Sequence, residues 1–180
     1  PHRTTGLPQD PAWTDRRALY PREEVPADAD IDVWGVAHSH QPNCHHMTRM
    51  HHPLRGEDVT LEEIRRYPLP VLSADALARV KAFVGQCHGQ GLAAVAGMAC
   101  TVWETAWYMR GMEALMGDMM DEDPKAEWLL DEVTKRSEIR AASFAAAGVD
   151  CLFLGDDIGM QHSIMMSREM YNIWLQPRLK

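Results

Sequence analysis

At 180 residues, with 46% hydrophobic and 24% charged residues, the chain has the composition of one soluble globular domain, which excludes disordered and fibrous classes. A domain of this size buries roughly 70% of the surface its unfolded chain exposes, so a core forms without disulfide staples. The formal charge of −8, with a dense run of carboxylates against the single Lys125 between Glu113 and Glu132, would repel phosphate backbones and argues against nucleic acid as a partner.

The first 30 residues hold five of the eleven prolines and show neither helical nor strand periodicity, so they read as an irregular arm ahead of one domain over 31–180. Ile31 to Val36 alternates as a strand or hairpin edge would. A loop follows that carries His38, His40, Cys44, His45, His46, His51 and His52. Thr60 and Glu63 form a capping box for a short helix that Pro68 ends. Ser73 is expected to cap a second helix, with Leu77, Val80, Val84 and Cys87 on one face and a stop near Gly89 and Gly91.

Leu92 to Met98 reads as a strand buried on both faces, and Trp103 to Met119 as a helix whose Trp103, Trp107, Met112, Leu115 and Met119 pack a core. Asp123 and Pro124 open a long helix that Gly148 stops. Cys151 to Leu154 is a short apolar strand running into the polar loop Gly155-Asp156-Asp157-Ile158-Gly159, and Ser167 caps a last helix, Arg168 to Gln176. Strands separated by long helical connections predict an α/β fold with parallel strands, but too few of them to close a barrel of eight. The chain opens on Pro1 and stops at Lys180 directly after an apparent helix, which reads as a cut at either end.

The widely spaced Cys44, Cys87, Cys100 and Cys151, with no secretory leader, read as reduced thiols of a cytoplasmic protein. The most apolar stretch, Leu92 to Cys100, is about half the ~18 residues that a membrane span needs. The sharpest chemical feature is Asp156 and Asp157, placed at the carboxyl end of a strand, where α/β folds keep their sites. A plain Asx turn before a helix would use the same residues. Glu104 follows the preceding strand at the equivalent place. It can converge with the aspartates as a carboxylate pair for proton transfer or substrate holding, or simply favour a helix dipole. The His-rich segment matches no zinc spacing, has no Cys-x-x-Cys, and is expected to be a solvated, mobile loop with no metal. The acidic run reads as a solvated face. Nucleotide-phosphate and hydrolase-elbow motifs are absent.

Several strings in order resemble the uroporphyrinogen decarboxylase superfamily, which includes corrinoid-dependent methyltransferases. They are Asp32-Val33-Trp34-Gly35-Val36, His52-Pro53-Leu54, Thr60-Leu61-Glu62-Glu63-Ile64 with Tyr67-Pro68, Trp103-Glu104, Arg110-Gly111-Met112-Glu113, Gly148-Val149-Asp150, Gly155-Asp156-Asp157-Ile158-Gly159-Met160-Gln161, Met166-Ser167-Arg168-Glu169-Met170-Tyr171 and Pro177-Arg178-Leu179-Lys180. The resemblance implies part of a (β/α)8 TIM barrel, beginning after the family's first strand and stopping near mid-barrel. Asp156, Asp157 and Glu104 would be its catalytic groups, with Trp103, Met160 and Gln161 contacting substrate.

The decarboxylases' amino-terminal arginine-rich motif is missing, so the resemblance is closer to the methyltransferase-like branch. That branch implies a parent enzyme that uses zinc and a corrinoid (cobalamin), a small methylated donor and a possible corrinoid protein partner, with zinc ligands beyond Lys180 and no cofactor bound by this chain alone. Decarboxylation of a tetrapyrrole acid is the first alternative. A non-catalytic His-rich metal-holding or interaction module is the second. An incomplete barrel is also expected to self-associate.

Overall fold

The computed structural model describes residues 1–41 and 44–180, and the side chains of all but 41–48. In chain order the elements are β1 (His2–Thr5), β2 (Gln9–Asp10), α1 (Arg16–Leu19), β3 (Asp30–Ile31), β4 (Ala37–Gln41), β5 (Cys44–His51), α2 (Leu61–Arg66), β6 (Val71–Leu72), α3 (Ala76–Gly89), β7 (Ala93–Met98), α4 (Trp103–Arg110), α5 (Met112–Met120), α6 (Pro124–Ala147), β8 (Cys151–Leu154) and α7 (Arg168–Met170). The last passes into a π-helical turn at Tyr171–Leu175. The fold is mixed α/β, built on a three-stranded parallel sheet in the order β1-β7-β8. Beside it stand an antiparallel pair, β2-β6, and an antiparallel three-stranded sheet, β3-β4-β5.

Two amino-terminal expectations are corrected. The arm is not irregular throughout, because His2 to Thr5 pairs in parallel register with Ala93 to Ala96. This strand, His-Arg-Thr-Thr, has no apolar residue to betray it and is recruited by the backbone edge of β7. Conversely, Ile31 to Val36 is mostly a turn. The Asp32 carboxylate accepts from Trp34 N at 2.9 Å and Val36 N at 3.0 Å, closing an Asx turn that interrupts the alternation. Gly35 completes it with φ +82°, where an added Cβ would lie 2.0 Å from the Tyr67 hydroxyl. The His-rich segment is likewise no loop but the β4-β5 hairpin, with Ala37 opposite His51 and Ser39 opposite Arg49.

The other elements follow their local chemistry closely. Thr60 and Glu63 form the capping box of α2. Asp123 accepts from Lys125 N at the start of α6, Pro124 stands in its first turn, and Gly148 ends it in the left-handed conformation. Ser73 does not cap α3. Its hydroxyl donates to Asp10 at 2.7 Å, tying α3 to β2, and Asp75 takes the cap position without a side-chain bond. Leu77 accordingly turns outward, and Ala76 joins Val80, Val84 and Cys87 on the buried face. The single helix expected over Trp103 to Met119 is broken at Gly111, whose φ of +85° no helix accommodates. Among the described residues no helix is long and apolar enough to cross a membrane.

Packing makes the two faces of the parallel sheet unlike. Ala94, Ala96 and Met98 are buried with Val80, Val84, Cys87 and Phe144 in one core cluster, under α3 and α6. Side chains alternate along a strand, so Ala93, Val95 and Gly97 of β7 and their register partners Cys151 and Phe153 of β8 face the other way. That face is bare, and Phe153 is 62% exposed. β7 is therefore buried on one face only, not on both as its apolar run predicts. A second cluster, centred on Trp103, Met109, Leu115, Leu129 and Leu130, packs α4, α5 and α6 beyond the carboxyl end of β7.

Candidate functional site at the strand ends

α4 starts at Trp103, a short loop beyond the end of β7 at Met98, with Val102 in the cap position and no side-chain bond from it. The first N–H groups of a helix need acceptors, and here they come from the neighbouring strand end. Asp156 Oδ2 accepts from Val102 N and Trp103 N, both at 2.8 Å, and from the Thr101 hydroxyl at 3.1 Å. Its Oδ1 accepts from Glu104 N at 2.8 Å. With four such bonds and a helix N-terminus beside it, the Asp156 carboxylate is a latch that joins the β7 and β8 loops.

The latch brings together the acidic residues singled out in the sequence. Glu104 Oε2 accepts from Asp157 N at 2.9 Å, and Oε1 accepts from the Tyr108 hydroxyl at 2.9 Å. Asp157 is exposed. Its Oδ1 accepts from Gly159 N at 3.0 Å, and its other oxygen makes no hydrogen bond with the described residues. Glu104, Asp156 and Asp157 thus share the carboxyl edge of the sheet, and none of them forms an ion pair with a described cation. Chemically, Asp156 is committed to backbone donors, whereas Glu104 and Asp157 retain lone pairs for a ligand.

Cys100 enters the same cluster with a left-handed φ of +56°, a conformation that costs an L residue about 1–2 kcal/mol. Its thiol lies 3.9 Å from the Tyr108 hydroxyl. Burial, then the Glu104 charge, pushes the Cys100 thiol up to about 11, so it is a protonated donor at neutral pH rather than a nucleophile. Burial and the hydrogen bond to Glu104 push Tyr108 upward too, which keeps the phenol a donor.

Of the three expected substrate contacts, Met160 and Gln161 are exposed on the loop that carries Asp157, where Gly159 bridges Ile164. Trp103 is not at the surface. It is fully buried in the second core cluster, with an indole N–H that has no partner, because the helix it opens turns that position inward.

Other groups escaped the sequence reading. Asp118, counted there with a solvated acidic face, is buried and accepts from Arg110 Nε at 2.8 Å and Nη2 at 3.3 Å, with Lys125 at 3.4 Å. His52 donates from Nδ1 to the Tyr108 carbonyl at 2.7 Å, which leaves Nε2 as the lone-pair nitrogen, and burial holds its pKa below the ordinary value. It borders a groove of about 890 Å³ with Trp107 and Arg110. Ser39 Oγ is 2.9 Å from His51 Nε2, whose Nδ1 is 2.7 Å from Glu23. Only spatial pairing across the β4-β5 hairpin creates that chain. A polar residue flanked by apolar ones, as Asp118 is between Met116 and Met119, is the one signal the sequence offered.

No three His, Cys, Asp or Glu side chains among the described residues converge as metal ligands would, and the side chains of Cys44, His45 and His46 lie outside them. His38 stands 3.7 Å from Asp32, His40 is exposed, and His51 and His52 are engaged as above. Neither a scan of protein-family models nor searches of curated proteins and of solved structures returned a match.

Proposed function

We propose that the chain is part of a (β/α)8 barrel enzyme of the uroporphyrinogen decarboxylase superfamily, from its corrinoid-dependent methyltransferase-like branch, and that the strand-end carboxylates hold a small methylated donor. The observation that carries this reading is the charge of the strand ends. Three carboxylates meet there and no described Arg or Lys pairs with any of them. A tetrapyrrole acid, with its many carboxylates, needs cationic anchors at that place and would be repelled. A methylated cation or a neutral methyl donor would not. The bare face of the parallel sheet, with its small residues Ala93 and Gly97, suits the interior of a barrel whose other strands complete it.

In this reading Asp156 positions, and Glu104 and Asp157 bind. Glu104 is aimed by Tyr108 on one oxygen and the Asp157 amide on the other, so its orientation is fixed before a ligand arrives. Met160 and Gln161 contribute an apolar and a polar contact from the same loop. In the branch this resembles, zinc acts as a Lewis acid and thiolate activator, and a corrinoid carries the methyl group. The described residues offer neither group a set of ligands. The contribution derived for this chain is therefore binding and orientation of the donor.

The test is a ¹H–¹⁵N titration of the chain with tetramethylammonium, as a methylated cation, and separately with uroporphyrin, as a polycarboxylate. Saturable shifts at residues 104 and 155–161 with tetramethylammonium only, abolished in Asp157→Asn, are expected. Saturable uroporphyrin binding at those residues would overturn the reading in favour of decarboxylation.

A further inference from the structure

Arg140 on α6 pairs with none of the strand-end carboxylates, and its guanidinium has no described hydrogen-bond partner. Its Nε is buried without a hydrogen-bond partner, and the group makes no ion pair or hydrogen bond with the described residues. Among the described residues, the ionisable side chain acting on it is the Cys100 thiol, which is protonated at neutral pH. Burial accordingly pulls the Arg140 pKa down. Arg140 is half-buried, and a guanidinium partly taken out of water without an acceptor carries a cost that a carboxylate or a bound anion relieves.

The space around Arg140 has the corresponding shape. A cavity of about 220 Å³ lies between α6 and the β2-β6 pair, bordered by Lys135, Arg136 and Arg140 on one side and by Gln9 and Pro70 on the other. No carboxylate lines it among the described residues. Arg136 is already occupied by Glu132 and donates to the Pro70 carbonyl, which fixes it as part of the wall. The remaining lining is apolar, and it includes the exposed side chains of Val71 and Ile139. Lys135 also pairs with Glu132, at 3.6 Å, which leaves Arg140 as the cation of the lining without a described partner.

We propose that this cavity is a binding site for a small oxyanion carrying an apolar group, with Arg140 as the anchor. A carboxylate or a phosphate monoester supplies the acceptor that the guanidinium lacks, Gln9 can meet its outer oxygens, and Val71, Leu72 and Ile139 receive its hydrocarbon part. None of Glu104, Asp156 and Asp157 lines this cavity, and the proposal does not depend on what they bind.

Calorimetric titration of the full chain with hexanoate, hexyl phosphate, inorganic phosphate and hexanol, at constant ionic strength with chloride, tests this. Hexanoate or hexyl phosphate should bind saturably while hexanol does not, and the better of the two identifies the headgroup. Arg140→Met should weaken that binding roughly 10- to 100-fold, the worth of a charge-assisted bond. Because Arg140 has no partner to lose, the variant should melt no lower than the wild type without ligand, so lost binding is not lost folding. The Arg140 Nε–H resonance should shift on hexanoate addition. Failure of both hexyl ligands to bind, binding unchanged in Arg140→Met, or inorganic phosphate binding as tightly as hexyl phosphate would each overturn the proposal.

Discussion

The His-rich hairpin and the strand-end cluster are both dense in side chains capable of chemistry, yet folding spends them differently. In the hairpin, Ser39 and His51 are buried and satisfy one another and Glu23. At the strand ends, only Asp156 is consumed by the fold, and its four bonds leave Glu104 and Asp157 with free lone pairs at an open edge. Density of reactive residue types therefore says little. What separates the regions is whether each polar atom is already satisfied where solvent, or a ligand, could reach it.

Substitutions should separate the two regions sharply. The largest loss is expected from His51→Ala, which leaves Ser39 and Glu23 without their partner. A destabilisation of ~2–4 kcal/mol by chemical denaturation, with tetramethylammonium binding retained, is the expected outcome. Asp156→Ala comes next, at ~2–3 kcal/mol, because it strands the first N–H groups of α4 and frees Glu104. It should reduce tetramethylammonium binding as well as stability. Asp157→Asn should cost less than ~0.5 kcal/mol of stability, as an exposed residue does, while abolishing binding. An Asp157→Asn variant as unstable as Asp156→Ala would erase the distinction between latch and ligand.

Thiol reactivity sharpens the same contrast from another side. With its thiol raised to about 11, Cys100 should react with an aromatic disulfide reagent far more slowly at pH 8 than the exposed Cys151, and should accelerate as the pH approaches 11. Equal rates would show that Cys100 is not held by burial and Glu104. The smallest effect is at α2, away from both regions. The capping-box amide of Thr60 and then Arg22 lower Glu63 from 4.5 to about 2 in the folded chain. A depressed carboxylate contributes stability above its unfolded pKa and loses it as the pH falls through its folded pKa. Amide protection in α2 should decline between pH 4.5 and about 2, and Glu63→Gln should remove that dependence.

Where the chain's signals are local, the sequence was readable. The Thr60 box, the Asp123-Pro124 start and the Gly148 stop are short-range hydrogen-bonding devices, and each forms as its residues imply. The meeting of Glu104 with Asp156 and Asp157 was legible because both loops follow apolar strands that pair in parallel. Elements held by distant backbone were not. β1 carries no apolar code, and the exposure of Phe153 depends on what lies opposite the sheet rather than on β8 itself. The division of labour between adjacent Asp156 and Asp157 is likewise invisible in sequence, since it follows from which carboxylate faces the start of α4.

The most direct test of that division is amide hydrogen exchange at Val102, Trp103 and Glu104 in the wild type and in Asp156→Ala, read against Met109 inside the same helix. The account predicts that the three amides are protected in the wild type, and that Asp156→Ala removes their protection while Met109 remains slow. Amides that exchange freely in the wild type, or that stay protected without Asp156, would contradict it.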